Sequence, residues 1–316
     1  MSRIAGAFVF AAVASASATS ASAAAYTYET VSYPGSTQTL VNSINDAGQM
    51  AGSYTGANNK MVGFVYNNAF SSVSYPGADQ TLVTGINNVG QYGGLYYNPD
   101  NSSHGFVNLN GTIATIDHPS GANGTAVTGI NDSGQVVGSY YDLNYTGHSF
   151  LLTNGTYTDI SDPVAGNGTY AFGINNLAEV VGYYLDFNNV AHGFIDTNGV
   201  FTTVTNPNSS GNTSLFGIND AGQVVGYYYD ASYVGHSFVE ASGVFTAIDD
   251  PNAVHGTYAN DINNAGQVSG KYNPGSYNSQ GFVATLAAVA VPEPASLTLL
   301  GLGLGLLGLV RRRKAG

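Results

Sequence analysis

The sequence predicts an all-β chain folded as a six-bladed β-propeller of four-stranded blades, and three observations lead there. The pair Ile-Asn recurs at Ile44, Ile86, Ile130, Ile174, Ile218 and Ile262, with spacings of 42, 44, 44, 44 and 44 residues. A fixed period of this length marks one supersecondary unit repeated and stacked. Each period holds four short strand-like stretches separated by turn residues, the content of a propeller blade. Finally, Tyr28–Pro34 precedes the first unit and aligns with Phe245–Pro251, a fourth strand without its blade, while the last unit stops after its third strand, Gly281–Leu286. A closed ring uses such an orphan strand as a clasp and so removes exposed sheet edges. A β-solenoid is the alternative stack, but its coils are usually shorter than the 44 residues found here.

The fifth unit serves as template. Ser214–Ile218 reads as a strand, Asn219–Gly222 as a turn, and Gln223–Tyr228 as the second strand. A polar loop, Asp230–Val234, leads to a third strand, Gly235–Val239; after Ala241–Gly243 comes the fourth, Val244–Ile248. Asp249-Asp250-Pro251-Asn252 closes the unit, since proline cannot donate to a ladder and sits at strand ends. The Asn-Asp-x-Gly connection suits a type I turn followed by a left-handed residue, which Gly48, Gly90, Gly134, Gly222 and Gly266 supply without steric cost. The fourth unit has Ala178 in that slot and Glu179 where the others have Gln, so Ala178 is expected to be strained by about 1 kcal/mol.

Other positions hold register as strictly. Asn45, Asn87, Asn131, Asn175, Asn219 and Asn263 open the six turns, as expected if each side chain bonds the backbone of its own turn. Phe64, Phe106, Phe150, Phe194, Phe238 and Phe282 each follow their Ile by 20 residues, and a glycine (Gly52 in the first unit) follows by eight. One aromatic per blade at a fixed place is what packing between sheets requires, so these phenylalanines are expected in the core.

The two ends read as sorting segments. Residues 1–25 carry Arg3, the apolar run Ile4–Val13 and a small-residue stretch ending at Ala25, the pattern of a secretory signal peptide, with cleavage near Ala23 or Ala25 and the Sec machinery as implied partner. At the other end, a linker (287–296) contains Val291-Pro292-Glu293-Pro294; an apolar stretch (297–310) and a basic tail (311–316) with Arg311, Arg312, Arg313 and Lys314 follow. A helix over those 14 apolar residues would span roughly 21 Å against a ~30 Å hydrocarbon core. The basic cluster would stay cytoplasmic under the positive-inside rule. Pro-Glu-Pro, an apolar Gly/Leu-rich helix and a terminal arginine cluster, in that order, resemble the PEP-CTERM sorting signal of Gram-negative bacteria. That resemblance implies an exosortase as partner, transient residence in the inner membrane, and delivery to the cell surface or extracellular matrix.

The units between, roughly residues 40–286, resemble the "probable extracellular repeat, HAF family" in their Gly-Ile-Asn-x-x-Gly-Gln-Val-Val-Gly core, as at Gly129–Gly138, and in the following His-Ser-Phe, as at His148–Phe150. The family brings no reaction or ligand. Without its ends, the propeller (26–286) keeps only Lys60 and Lys271 against 18 acidic residues, a formal charge of −16. Such a surface repels nucleic acid and anionic glycans. There is no cysteine, so disulfides and thiolate metal sites are excluded.

Candidate sites lie where the copies differ. The second loops of consecutive units place oxygen groups at i and i+2: Asp142 and Asn144, Asp186 and Asn188, Asp230 and Ser232; Asp100 and Asn101 occupy the corresponding loop of the second unit. Calcium takes such sets, but these loops are short and no bidentate acid follows, so a structural turn is the favoured reading and Ca²⁺ the alternative. Four histidines, His104, His148, His192 and His236, recur two residues before the core phenylalanine, which points to a structural hydrogen bond and not to a unique catalytic group. The tyrosine pairs Tyr140-Tyr141, Tyr183-Tyr184 and Tyr227-Tyr228 are either sugar-stacking surfaces or strand packing. With no nucleophile elbow, zinc spacing or phosphate loop, the expectation is a non-enzymatic, exported surface or matrix protein with a binding or structural role toward exopolysaccharide or biofilm. A polysaccharide lyase or hydrolase and a calcium-dependent lectin are the alternatives.

Overall fold

The computed structural model describes residues 26–275 and 278–287, and it is built of strands alone. The signal-peptide segment and the sorting residues Val291–Pro294 and Arg311–Lys314 lie outside the described residues. Strand β1 (Tyr26–Val31) is followed by blade 1: β2 (Thr39–Ile44), β3 (Met50–Thr55), β4 (Met61–Tyr66) and β5 (Phe70–Val73). Blade 2 comprises β6 (Gln80–Ile86), β7 (Tyr92–Tyr97), β8 (Ser103–Leu109) and β9 (Thr112–Ile116). In blade 3 come β10 (Thr125–Ile130), β11 (Val136–Tyr141), β12 (Gly147–Thr153) and β13 (Thr156–Ile160). Blade 4 holds β14 (Thr169–Ile174), β15 (Glu179–Leu185), β16 (Ala191–Thr197) and β17 (Val200–Val204). Blade 5 holds β18 (Thr213–Ile218), β19 (Val224–Tyr229), β20 (Gly235–Ala241) and β21 (Val244–Ala247). Blade 6 takes β22 (Thr257–Ile262), β23 (Val268–Tyr272) and β24 (Gln280–Leu286) from the C-terminal unit.

Each sheet is an antiparallel meander, and the sixth has the order β22-β23-β24-β1. The orphan strand thus completes the last blade, pairing from Tyr26 opposite Leu286 to Val31 opposite Gly281. The ring is closed as the sequence implied, and the solenoid alternative is excluded. The first strand begins one residue earlier than the template suggested in five blades, at a threonine, and two residues earlier in blade 2, at Gln80 before Thr81. The hydroxyl of this threonine accepts the N–H of the crossover before it, as Thr213 accepts from Asn206 at 3.1 Å.

Packing explains the fixed residues. The six phenylalanines are fully enclosed, none more than 1% exposed. The glycine eight residues after each isoleucine makes room for the first strand: a Cβ on Gly52 would lie 2.0 Å from the Leu40 carbonyl oxygen and 2.8 Å from the Phe64 ring. This is where the first strand of every blade bulges, as between Val41 and Ser43, pushing its backbone toward the second.

The turn glycines adopt left-handed backbone angles, with φ of 73–79°, and Ala178 enters the same region at 61° in the fourth blade. An L-residue there crowds its Cβ against the following carbonyl. Ala178→Gly is therefore expected to raise stability by about 0.5–1 kcal/mol, the relief of strain exceeding the entropy that glycine adds to the unfolded chain. Chemical denaturation checks this, and a loss of stability would contradict it.

Candidate functional site

The six Asn-led turns converge at one end of the propeller axis, and their side chains tie the blades together. Asn45 Nδ2 donates to the carbonyl of Asn87, Asn87 to Asn131, Asn131 to Asn175, Asn175 to Asn219, Asn219 to Asn263, and Asn263 back to Asn45, all at 2.9–3.1 Å. The second amide hydrogen goes to the side chain four residues on, Gln49 in blade 1 and Glu179 in blade 4. Only an acceptor is needed there, which is why Glu can replace Gln. The Asn45 oxygen accepts from the N–H groups of Ala47 and Gln49, the turn bond foreseen from sequence. The ring between blades was not foreseen.

A second ring lies one residue further along, where Asp46, Asn88, Asp132, Asn176, Asp220 and Asn264 alternate strictly between acid and amide. Each backbone N–H donates to the Oδ1 of the next member; Asp46 N to Asn88 Oδ1, at 2.8 Å, is one of six such bonds. Each asparagine also splits its amide hydrogens between the two flanking carboxylates. Asn88 Nδ2 reaches Asp46 Oδ2 at 2.9 Å and Asp132 Oδ2 at 3.0 Å, and Asn176 and Asn264 repeat the pattern. Burial pulls the Asp220 carboxyl upward, but the Asn176 N–H and the amides of Asn176 and Asn264 outweigh it and leave Asp220 below the usual carboxylate range. Alternation distributes three negative charges so that every carboxylate has an amide on both sides.

Below this crown a cavity of about 340 Å³ runs along the axis, lined by the first strands of the blades. Its wall is uneven. At the position two before each Ile, Asn42, Thr84, Thr128 and Asn260 donate to the carbonyls of Val83, Val127, Ala171 and Val41 in the next blade, at 2.8–3.0 Å. Blades 4 and 5 carry Phe172 and Phe216 there instead, with ring centroids 4.7 Å apart and Tyr183 and Tyr227 stacked against them. Tyr227 is so enclosed that burial, with Tyr229, Tyr183 and Tyr258 nearby, drives its hydroxyl pKa well above the normal value. At this level one side of the cavity is aromatic and the other is hydroxyl and amide, with Leu40, Leu82 and the six isoleucines completing the lining.

Asp261 is the second departure from symmetry. The residue before each Ile is Gly in blades 2 to 5, where the first strands approach closely: a Cβ on Gly129 would sit 2.7 Å from the Phe172 carbonyl oxygen. At the closing joint the residues are Asp261 and Ser43, and a side-chain clasp replaces the contact. Ser43 Oγ and Ile44 N–H donate to Asp261 Oδ2 at 2.6 and 3.1 Å, and Ile262 N–H donates to Oδ1 at 2.8 Å. Burial dominates these bonds, and with a smaller push from Asp46 it raises the Asp261 pKa to about 6.

The second loops differ in kind from this site. Asp142 Oδ1 accepts from the N–H groups of Asn144 and Thr146, and Asp186 and Asp230 do the same with Asn188 and Val190 and with Ser232 and Val234. The N–H groups of Thr146, Val190 and Val234 are the largest influence lowering these three carboxyl pKa values. Their second oxygens face His148, His192 and His236 at 3.3–3.5 Å. Asn144 and Asn188 thus supply main-chain hydrogens, not oxygen ligands, to the loop acids. Among the described residues no group of three or more His, Cys, Asp or Glu is placed to hold a metal ion. His236 bridges Asp230 and Asp249, and His104 bonds Asp117, so the repeated histidines brace strand ends and loops. Tyr140, Tyr184 and Tyr228 stack on those histidines rather than presenting a face to solvent.

Known propellers match this architecture. The SapL1 lectin, solved in complex with alpha methyl fucoside, is 11% identical over 82% of this chain and 98% of that one, with a TM-score of 0.53. AofleA from Arthrobotrys oligospora is 12% identical over 84% of this chain and 94% of its own, with a TM-score of 0.51. A variant of the Aleuria aurantia lectin, in complex with Fucalpha1-6GlcNAc, is 15% identical over 82% and 97%, with a TM-score of 0.50. At these identities the likeness concerns the fold. The class is therefore a six-bladed propeller of four-stranded antiparallel sheets. Residues 290–314 match the PEP-CTERM protein-sorting motif, the segment in which Pro-Glu-Pro, the apolar stretch and the arginine cluster occur. No curated protein sequence matches the chain. Among the described residues no helix is long and apolar enough to cross a membrane.

Because the Asp261 carboxyl is raised in the folded protein, its ionisation weakens the closing joint. Its contribution to stability is full below the ordinary carboxylate pKa and is lost as pH rises through about 6. The melting temperature of the wild type minus that of Asp261→Asn is expected to be highest near pH 4 and to fall steadily to pH 7. A difference that does not change with pH would disprove the assignment.

Proposed function

We propose that the chain is an exported cell-surface or matrix protein, processed by an exosortase, whose propeller binds extracellular polysaccharide without altering it. Export rests on the sorting motif at residues 290–314 and on the signal-peptide pattern of residues 1–25. In this reading the chain has five parts: a signal peptide (1–25), the propeller (26–286), the linker with Val291–Pro294, the apolar segment (297–310) and the basic tail with Arg311–Lys314. The last three leave with the cut tail. The units are HAF-type repeats.

The observation that carries the binding role is the surface of blades 3, 4 and 5. There Tyr145, Phe187 and Tyr233 stand 75%, 83% and 85% exposed at the tips of the second loops. Large apolar side chains held out in water without a neighbour are characteristic of contact sites. The Asp142, Asp186 or Asp230 turn beneath each one fixes the loop backbone that carries it, so little backbone freedom is lost on binding. Three flat or apolar tips on consecutive blades suit the repeating C–H faces of a sugar polymer, and the acidic domain selects a neutral or cationic one. The fucose ligands of the lectin neighbours are in keeping with carbohydrate as the class, and biofilm is the natural setting.

The mature domain is expected to sediment with the producer's own exopolysaccharide and to leave its chain length unchanged. Replacing Tyr145, Phe187 and Tyr233 together by Ala should lower the bound fraction at least tenfold with the melting temperature preserved. New reducing or unsaturated ends in the polymer would refute the non-enzymatic reading.

A further inference from the structure

The axial cavity has a ligand chemistry of its own, distinct from the loop face. On the wall formed by blades 6, 1, 2 and 3, the hydroxyl hydrogens of Thr84 and Thr128 and one amide hydrogen each of Asn42 and Asn260 are already given to neighbouring blades. Ser43 gives its hydrogen to Asp261. Beside the apolar lining of Leu40, Leu82 and the six isoleucines, the polar capacity left on this wall is acceptor apart from one amide hydrogen each of Asn42 and Asn260: their amide oxygens, the threonine oxygens and the Asp261 carboxylate. Three of roughly four lone-pair positions on that carboxylate are filled, leaving it able to accept one bond more.

No lysine, arginine or histidine lines the cavity, and the crown above it adds Asp46, Asp132 and Asp220. The half-buried Lys271 lies instead over the Tyr258 ring, 5.6 Å from its centre, and is not part of the lining. The facing wall is Phe172 and Phe216, whose ring faces are electron-rich and attract a cation as well as C–H groups. A site of acceptors and aromatic faces, inside a domain of formal charge −16, asks for a ligand rich in hydrogen-bond donors and positively charged. A volume of about 340 Å³ lies at the low end of small-ligand sites, room for one ring and not for a threaded polymer.

We propose that the axial cavity binds a single protonated amino-sugar residue, its ammonium and hydroxyls donating to Asp261, Asn42 and Asn260 while its C–H face lies on Phe172 and Phe216. A neutral sugar would leave the negative site uncompensated, and an anionic one would be repelled. A simple alkylammonium would satisfy the charge but leave the other acceptors without donors. This site is separate from the loop-face contact with polymer and does not depend on it.

Calorimetry with the mature domain at pH 6 and low salt, using glucosamine, N-acetylglucosamine and cyclohexylamine as probes, tests the assignment. Glucosamine is expected to bind at least tenfold more tightly than either of the others. The informative variant is Phe172→Thr with Phe216→Thr, which installs the residue that blades 2 and 3 already use and completes the ring of donors to the next blade. The new bonds offset only part of the lost stacking on Tyr183 and Tyr227, so the variant should melt lower but still fold cooperatively, and should lose glucosamine binding at least tenfold at a temperature where it is fully folded; Asp261→Asn should weaken binding as well. Equal binding of N-acetylglucosamine would overturn the requirement for charge, and equal binding of cyclohexylamine the requirement for a sugar. Undiminished binding by the double threonine variant would overturn the location. The Tyr145, Phe187 and Tyr233 triple variant should still bind glucosamine. Capture of exopolysaccharide by a domain that binds no glucosamine would overturn the cavity assignment and leave the surface reading intact.

Discussion

The ring of hydrogen bonds from each turn asparagine to the next one's carbonyl is the constraint on which the molecule depends. Sheets in a propeller touch through side chains, and apolar packing alone would allow them to slide or fan. The asparagine link runs from a side-chain amide, itself held by its own turn, to the main-chain carbonyl of the next blade at the narrow end of every wedge, so it sets both the distance and the angle between blades. Each link adds only about 0.5–1.5 kcal/mol net, yet removing one leaves buried donors and acceptors without partners. The phenylalanine layer then fills the wedge at its wider radius. The outer strand β1 closes the circle where the chain itself cannot.

Against so regular a frame, exceptions carry information. Phe172 and Phe216 interrupt a set of donors that the other four blades maintain, and they do so on adjacent blades, creating a wall and not two isolated faults. Asp261 and Ser43 likewise replace close glycine contacts at a single joint, the one where the ends of the chain meet. Burial against solvation decides the protonation of Asp261 at this joint, whereas on the exposed loops hydrogen bonds decide that of Asp142, Asp186 and Asp230. One fold thus sets carboxylates in two contrasting environments.

The architecture was legible because its causes are local or periodic. Strand alternation, turn glycines and the spacing of the phenylalanines repeat within 44 residues, and the unpaired segment at Tyr28–Pro34 announces closure by its mere presence. The strained turn at Ala178 was readable for the same reason. The axial site was not. A hydrogen bond from Asn131 to the carbonyl of Asn175 spans exactly one period and leaves no mark beyond two identical asparagines, which the turn already explains. Aligning the six units and asking which positions face the axis would have exposed Phe172, Phe216 and Asp261 as the odd members. Their significance still requires knowing that the first strand of each blade is the innermost. The loops around Asp142, Asp186 and Asp230 stood out in the sequence through their acids, while what they present to solvent is the residues beside those acids.

The alternation of acid and amide in the crown places an arithmetic condition on the whole protein. Asp46, Asn88, Asp132, Asn176, Asp220 and Asn264 can alternate around a circle only because their number is even. Insert one more unit, or delete one, and somewhere two carboxylates or two amides become neighbours: the first pair would have no side-chain donor between them, the second no charge to solvate. The repeating element of this crown is therefore a pair of blades, which gives it a threefold symmetry beneath the sixfold one of the propeller, and only an even number of blades can carry it.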